Sequence, residues 1–313
     1  MQKPSYVMIT PAKNEEGLLP GLIMSISSQT LKPAVWCIVD DCSDDHTRDI
    51  IISAIREHPW IRLIRFNKKH DYSLEDYYSA VCRDGFDDVL GYCEKNRIDY
   101  DCIALSDADM TYPPDYFSQL LDYLSKNPQV GIVSGKLLNK DKEGHVYSEF
   151  EVLPSINHPH GTGRAWRREA FEATGGYALT KSPDTVSNVM ALLRGWEIKL
   201  VPEAECYHMR DSCSKIDTWN GYKNKGLRDW FLGVNPLGAV NTALKFILIS
   251  RPRRPVYKSL AYVHGYFGAL LTGEKRTDNL EVRKYLGSYR NILHKYGLLV
   301  KEGLYKLNGG QVY

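Results

Sequence analysis

No run of 18 apolar residues occurs anywhere in the 313-residue chain, so a full membrane span is not expected. Met1 to Thr10 lacks the basic start and apolar core of a secretory leader, so none is expected. The seven cysteines, Cys37, Cys42, Cys82, Cys93, Cys102, Cys206 and Cys213, are odd in number, scattered, and form no C-x-x-C pair. Reduced thiols in a cytoplasmic protein are the expectation. No G-x-G-x-x-G follows the first apolar segment, and neither G-x-x-x-x-G-K-[ST] nor G-x-S-x-G occurs. Dinucleotide dehydrogenases, P-loop kinases and nucleophile-elbow hydrolases are thereby poorly supported. There is no internal repeat and no low-complexity segment. A content of 43% hydrophobic and 25% charged residues excludes a disordered or fibrous chain.

The net charge of +2 conceals an asymmetry. Beyond His208, about 18 Lys and Arg face about 7 Asp and Glu, an excess of roughly +11, which leaves the front of the chain at about −9. An acidic front suits carboxylates that hold a metal or substrate, and a basic tail suits an anionic surface.

The first 140 residues alternate strand and helix patterns. Tyr6–Ile9, Val35–Val39, Trp60–Phe66, Cys102–Leu105 and Val130–Val133 read as buried strands. Between them, Leu18, Leu22, Ile23 and Ile26, then Ile50, Ile51, Ala54 and Ile55, recur at helical spacing. Pro113-Pro114 opens a helix with Phe117, Leu120, Leu121 and Leu124 facing inward. The expected fold class is α/β, with a doubly wound, mainly parallel sheet. Ligands bind such sheets beyond the carboxyl ends of the strands. Asn14 and Glu15, Asp40 and Asp41, and Asp107 and Asp109 all fall there.

Asp107-Ala108-Asp109 places two carboxylates close enough to repel unless a cation shares the site. Mg²⁺ or Mn²⁺ takes carboxylate oxygens and keeps places for phosphate oxygens and water. A polar turn with Asp109 as helix cap is the other reading of the triplet.

In order along the chain, Pro11-Ala12-Lys13-Asn14-Glu15-Glu16, Ser28-Gln29-Thr30 and Val39-Asp40-Asp41-Cys42-Ser43-Asp44-Asp45-His46-Thr47 resemble glycosyltransferase family 2. Ser106-Asp107-Ala108-Asp109, Gly161-Thr162-Gly163, Arg167 to Phe171, Gly175-Gly176-Tyr177, Gly195-Trp196 and Val201-Pro202-Glu203-Ala204 through His208 continue the pattern over about residues 5 to 210. The resemblance implies a GT-A fold, a Rossmann-like nucleotide-binding half, and inverting transfer of a sugar from a nucleotide-sugar.

It also implies residue roles. Asp41 would hydrogen-bond the nucleotide base, with Pro11, Ala12 and Glu15 lining the nucleotide pocket. Asp107 would lie near ribose and metal, Asp109 would coordinate the Mn²⁺ or Mg²⁺ that bridges the diphosphate, and His208 would reach the same metal or serve as an ordinary core or surface histidine. Arg83 would meet the diphosphate. Asp184 would be the acceptor-side base, or else a cap on the helix from Thr185 to Leu193. The sequence departs from the family at Pro183, which replaces the first acid of a pair, and at Lys13, where many relatives carry an aromatic that stacks on the base. Tyr72, Tyr77 and Tyr78 would line a sugar site or simply pack or face solvent.

The expected organisation is a catalytic domain over 1–208, with 1–110 for the donor and 111–208 for the acceptor, then a helical basic region over 209–313. Leu237–Ser250 and Val256–Thr272 are apolar but interrupted by Lys245, or by Lys258 and His264, and flank Arg251, Arg253 and Arg254. That pattern suits a seat on an anionic lipid surface at the cytoplasmic face of a membrane, or a helical pair packed on protein. The expected partners are a nucleotide-sugar donor and a glycan or lipid-linked acceptor, with no nucleic acid. A non-catalytic glycan- or nucleotide-binding relative and a metal-dependent nucleotidyltransferase are the alternatives.

Overall fold

The computed structural model describes residues 4–66, 76–140, 146–147, 159–210, 219–249 and 255–288. Tyr72, Cys213, Arg251, Arg253 and Arg254 lie outside the described residues. The chain divides into two compact units, residues 1–213 and 214–313.

The first unit is a mixed sheet with helices on both faces. Its strands are β1 (Tyr6–Ala12), β2 (Val35–Asp40), β3 (Ile61–Arg65), β4 (Cys102–Leu105), β5 (Met110–Thr111), β6 (Val130–Lys140), β7 (Val146–Tyr147), β8 (Arg164–Arg167) and β9 (Glu197–His208). The helices are α1 (Leu19–Ser27), α2 (Thr47–Glu57), α3 (Tyr77–Asn96), α4 (Tyr116–Lys126), α5 (Arg168–Ala173) and α6 (Pro183–Leu193). The strands run in the order β3-β2-β1-β4-β8-β6-β9-β5, with β7 pairing β6. The nucleotide-binding half, β3-β2-β1-β4, is parallel throughout.

Period-two alternation divides the core. Tyr6 and Met8 of β1 pack on one face with α1, α2 and α4, and Val7 and Ile9 on the other with Phe86 of α3 and Trp166 of β8. α3 lies close on β2 because residue 85 is glycine: a Cβ there would meet Val39 Cγ2 at 2.6 Å.

Val130–Val133 does form a strand, but β6 does not neighbour β4. β8 lies between them, antiparallel to both. Its sequence, Arg-Ala-Trp-Arg, gives no strand pattern, yet Arg164 is fully buried. β9 was equally hidden, because its exposed and buried positions do not alternate regularly. Its last residues pair with β5, setting His208 opposite Met110.

The second unit contains α7 (Trp219–Phe231), α8 (Pro236–Ile249), α9 (Pro255–Thr272) and α10 (Leu280–Gly287). α7 and α9 touch backbone to backbone through Gly226 and Gly265: a Cβ on Gly226 would meet the Tyr262 carbonyl at 2.2 Å. Trp230, Ala239, Ala243, Phe246, Tyr262 and Tyr266 form the core of this unit. Among the described residues no helix is long and apolar enough to cross a membrane.

Candidate active site

β1 sits between β2 and β4, where the strand order reverses direction, and the crevice of an open α/β sheet opens at such a point. The loops after β1 and β2 are laced together there. Asn14 N–H donates to Ser43 Oγ (3.1 Å), Asn14 Oδ1 accepts from Asp44 N–H (3.0 Å), and Glu15 N–H donates to Thr47 Oγ1 (2.7 Å). Asp40 serves this turn, accepting from Ser43 N–H at 3.0 Å. The next residue, Asp41, faces a cavity of about 330 Å³.

Pro11, Ala12, Lys13, Glu15, Asp41, Tyr77, Tyr78, Asp107, Asp109 and Arg210 line that cavity. Asp41 accepts from the Tyr77 hydroxyl on Oδ1 and from the Lys13 ammonium on Oδ2 at 3.3 Å. Asp107 Oδ1 accepts from the Tyr78 hydroxyl at 2.7 Å, and burial raises its carboxyl above the ordinary range. Asp109 Oδ2 meets His208 Nε2 at 3.1 Å and Arg210 Nε at 3.1 Å. Burial pushes the Asp109 carboxyl upward, but the hydrogen bond and charge of His208, with the charge of Arg210, hold it below its usual value. Asp109 Oδ1 is buried without a hydrogen-bond partner. Arg210 Nη2 also clamps both oxygens of Glu15, with Oε2 at 2.6 Å.

Six expected positions, Pro11, Ala12, Glu15, Asp41, Asp107 and Asp109, therefore converge on one cavity, and His208 touches it through Asp109. Arg83 is exposed on α3 and does not line the cavity. Asp184 lies in the first turn of α6, outside the cavity wall but linked to it. Thr162 Oγ1 accepts from Asp107 N–H at 2.8 Å, while the adjacent Gly161 is so close to Asp184 that a Cβ would lie 3.5 Å from it. Asn188, one turn after Asp184 on α6, accepts from buried Arg164. Burial lowers the Arg164 guanidinium to about 10, against the opposing charge of Asp184.

Sequence reasoning missed Arg210 and left Tyr77 and Tyr78 undecided. Arg210 had a hint in its position: it stands two residues beyond His208, at a bend just past the end of β9. The tyrosines gave no such signal, since their partners are 36 and 29 residues distant.

His160 offers a pH test of this region. Burial, with the Arg164 charge adding and Asp184 opposing, pulls its imidazole down to about 4. The unfolded chain takes up that proton near pH 6.5. Stability present above about pH 6.5 is therefore lost as pH falls toward 4, by at most about 3 kcal/mol. Urea unfolding at pH 7.5 and 4.5 should show a smaller pH effect in His160→Gln. An equal effect in the variant would remove His160 from the account.

Residues 7–74 match the family described as Glycosyl transferase family 2. A glucomannan 4-beta-mannosyltransferase 1 from Cyamopsis tetragonoloba is 22% identical over 250 residues, covering 74% of this chain and 44% of that protein. A probable glucomannan 4-beta-mannosyltransferase 1 from Arabidopsis thaliana is 26% identical over 222 residues, covering 62% and 37%. The chain thus spans less than half the length of these relatives. Among solved structures, the mannosyltransferase PcManGT from Pyrobaculum calidifontis, in complex with GDP-Man and Mn²⁺, superposes with a TM-score of 0.54 at 17% identity, covering 96% of this chain and 81% of that one. TarS 1-349 from S. aureus, in complex with UDP-GlcNAc, gives 0.52 at 12%, covering 87% and 76%. The fold is the GT-A arrangement of these glycosyltransferases. Residues 7–74 thus carry the glycosyltransferase family 2 pattern, and they lie inside this fold.

Proposed function

We propose that this chain transfers a glycosyl group from a nucleoside-diphosphate sugar to a hydroxyl of a glycan or lipid-linked acceptor, with inversion at the anomeric carbon. The observation that carries the reading is the cavity at the strand-order reversal, which joins Asp41 at one side to Asp107 and Asp109 at the other. The glucomannan mannosyltransferase relatives support a polysaccharide-building reaction. Residues 1–208, with Arg210, are assigned to catalysis, with 1–110 for the donor and 111–208 for the acceptor, and the helical region that follows, up to 313, to docking.

The residues fit a divalent cation. No group of three or more His, Cys, Asp or Glu side chains among the described residues is gathered as a complete ion cage. Yet Asp109 Oδ1 is buried and unsatisfied, and a positive group, Arg210, already lies against the same carboxylate. Mg²⁺ and Mn²⁺ are held by one or two carboxylates plus substrate phosphates, which suits Asp109, His208 and Asp107. A bound ion there would neutralise charge on the departing diphosphate. Arg210 supplies a second positive group at that place. Asp184 accepts the proton of the acceptor hydroxyl while the hydroxyl oxygen bonds the anomeric carbon and the bond from that carbon to the diphosphate oxygen breaks.

Thermal denaturation with UDP-, GDP- and dTDP-sugars, each with and without Mn²⁺, tests donor binding. A ligand at 100 times its Kd stabilises by about 2.7 kcal/mol. At least one nucleotide-sugar should do so, more strongly with Mn²⁺; no shift from any of them would contradict a donor site.

The docking assignment rests on the second unit. Leu237, Val240, Leu244 and Ile247 are exposed along one face of α8. With the basic excess of the tail, this face supports a peripheral seat on the cytoplasmic leaflet, close to a lipid-linked acceptor. The protein should sediment with anionic liposomes at low salt, less so at high salt, and Leu244→Asp with Ile247→Asp should release it. A wild type that ignores anionic liposomes at low salt would leave this face to protein packing.

A further inference from the structure

The solved neighbours hold different bases, guanine in one complex and uracil in another. The hydrogen bonding of Asp41 distinguishes between them. A carboxylate offers two oxygens and about four acceptor positions. In Asp41 the Tyr77 hydroxyl takes one position on Oδ1 and the Lys13 ammonium one on Oδ2. Among the described residues no other side chain bonds this carboxylate, so each oxygen keeps acceptor capacity, and Asp41 lines the cavity. Two parallel acceptors call for two parallel donors.

Guanine presents N1–H and N2–H together on one edge, with O6 as an acceptor next to them. Uracil presents a single N–H between two carbonyls, one of which would face a carboxylate oxygen. Adenine and cytosine present an amino group beside a ring-nitrogen lone pair, with the same conflict. Lys13 completes the match. Its side chain is 54% exposed beside Asp41, and its ammonium has donors left for O6. Resting on the donor-site reading above, we propose that Asp41 and Lys13 select guanine, so that the donor is a GDP-sugar.

Calorimetric titration of the full chain with Mn²⁺ and GDP, IDP, UDP or ADP tests this. GDP should bind most tightly. IDP, which lacks only the N2 amino group, should bind at least about tenfold more weakly, and UDP and ADP more weakly still, because a site built for a hydrogen bond rejects the analogue without it. Asp41→Asn exchanges an acceptor for a donor and should shift preference from GDP toward xanthosine diphosphate, whose C2 carbonyl accepts. If that variant misfolds, the wild-type panel decides alone. UDP or ADP binding as tightly as GDP, or IDP equal to GDP, overturns guanine selection but leaves the donor site standing. Failure of every nucleoside diphosphate to bind overturns the donor site itself.

Discussion

Asp184→Asn should lower turnover by at least about 100-fold while leaving nucleotide-sugar affinity within about twofold. The substitution keeps the size of the side chain and removes the basic oxygen that accepts the acceptor proton. Asp184 does not line the donor cavity, and its link to Asp107 runs through Gly161 and the Thr162 hydroxyl, which the change does not touch. The split between turnover and donor binding separates a base from a purely structural acid. The N-cap position of α6 is Ser182, and Asp184 stands inside the first turn, where loss of a charge that favours the helix would lower the melting temperature and leave the kinetic split absent. Equal losses of donor binding and turnover would move Asp184 out of the acceptor role.

Asp109→Asn should reduce turnover further, by about 1,000-fold, and weaken the dependence on Mn²⁺. This carboxylate is 12% exposed and faces the His208 imidazole and the Arg210 guanidinium, each at 3.1 Å. An amide leaves both facing a neutral group and removes the charge that would bind a cation through Oδ1. Arg210 retains Glu15, so the loop after β9 stays tethered. A melting curve near that of the wild type is therefore expected alongside the kinetic loss. Full turnover with an unchanged Mn²⁺ titration would show that Asp109 serves only the turn after β4.

Legibility of the fold followed burial. β1, β2 and β4 are buried almost residue for residue, and unbroken apolar runs report such strands directly. The helices of the first unit showed through their one-sided apolar faces, most clearly Phe117, Leu120, Leu121 and Leu124 in α4. β8 did not show, because a four-residue strand with an arginine at each end is defined by its neighbours β4 and β6. That hidden strand introduces antiparallel pairing into a sheet expected to be mainly parallel.

Within the candidate site, residues that follow a strand directly were legible: Glu15, Asp41, Asp107 and Asp109 stand where the sheet ends and the chain turns. The residues that complete their chemistry arrive from elsewhere in the chain. Tyr77 and Tyr78 reach the cavity from the first turn of α3, and Arg210 arrives by the pairing of β5 with β9. Such partnerships depend on tertiary geometry. The spacing of residues in sequence carries no record of it, except for the two-residue step from His208 to Arg210.

The most direct test of glycosyl transfer is product analysis. The protein, Mn²⁺, nucleotide-sugars and a hydroxyl acceptor are incubated, and the nucleotide and sugar products are followed by ³¹P and ¹H NMR. The account predicts one nucleoside diphosphate released for each sugar transferred, with the anomeric configuration of the product opposite to that of the donor. Release of pyrophosphate would point to nucleotidyl transfer. Tight nucleotide-sugar binding without turnover on any acceptor or water would point to a non-catalytic binding protein, and either result would contradict the account.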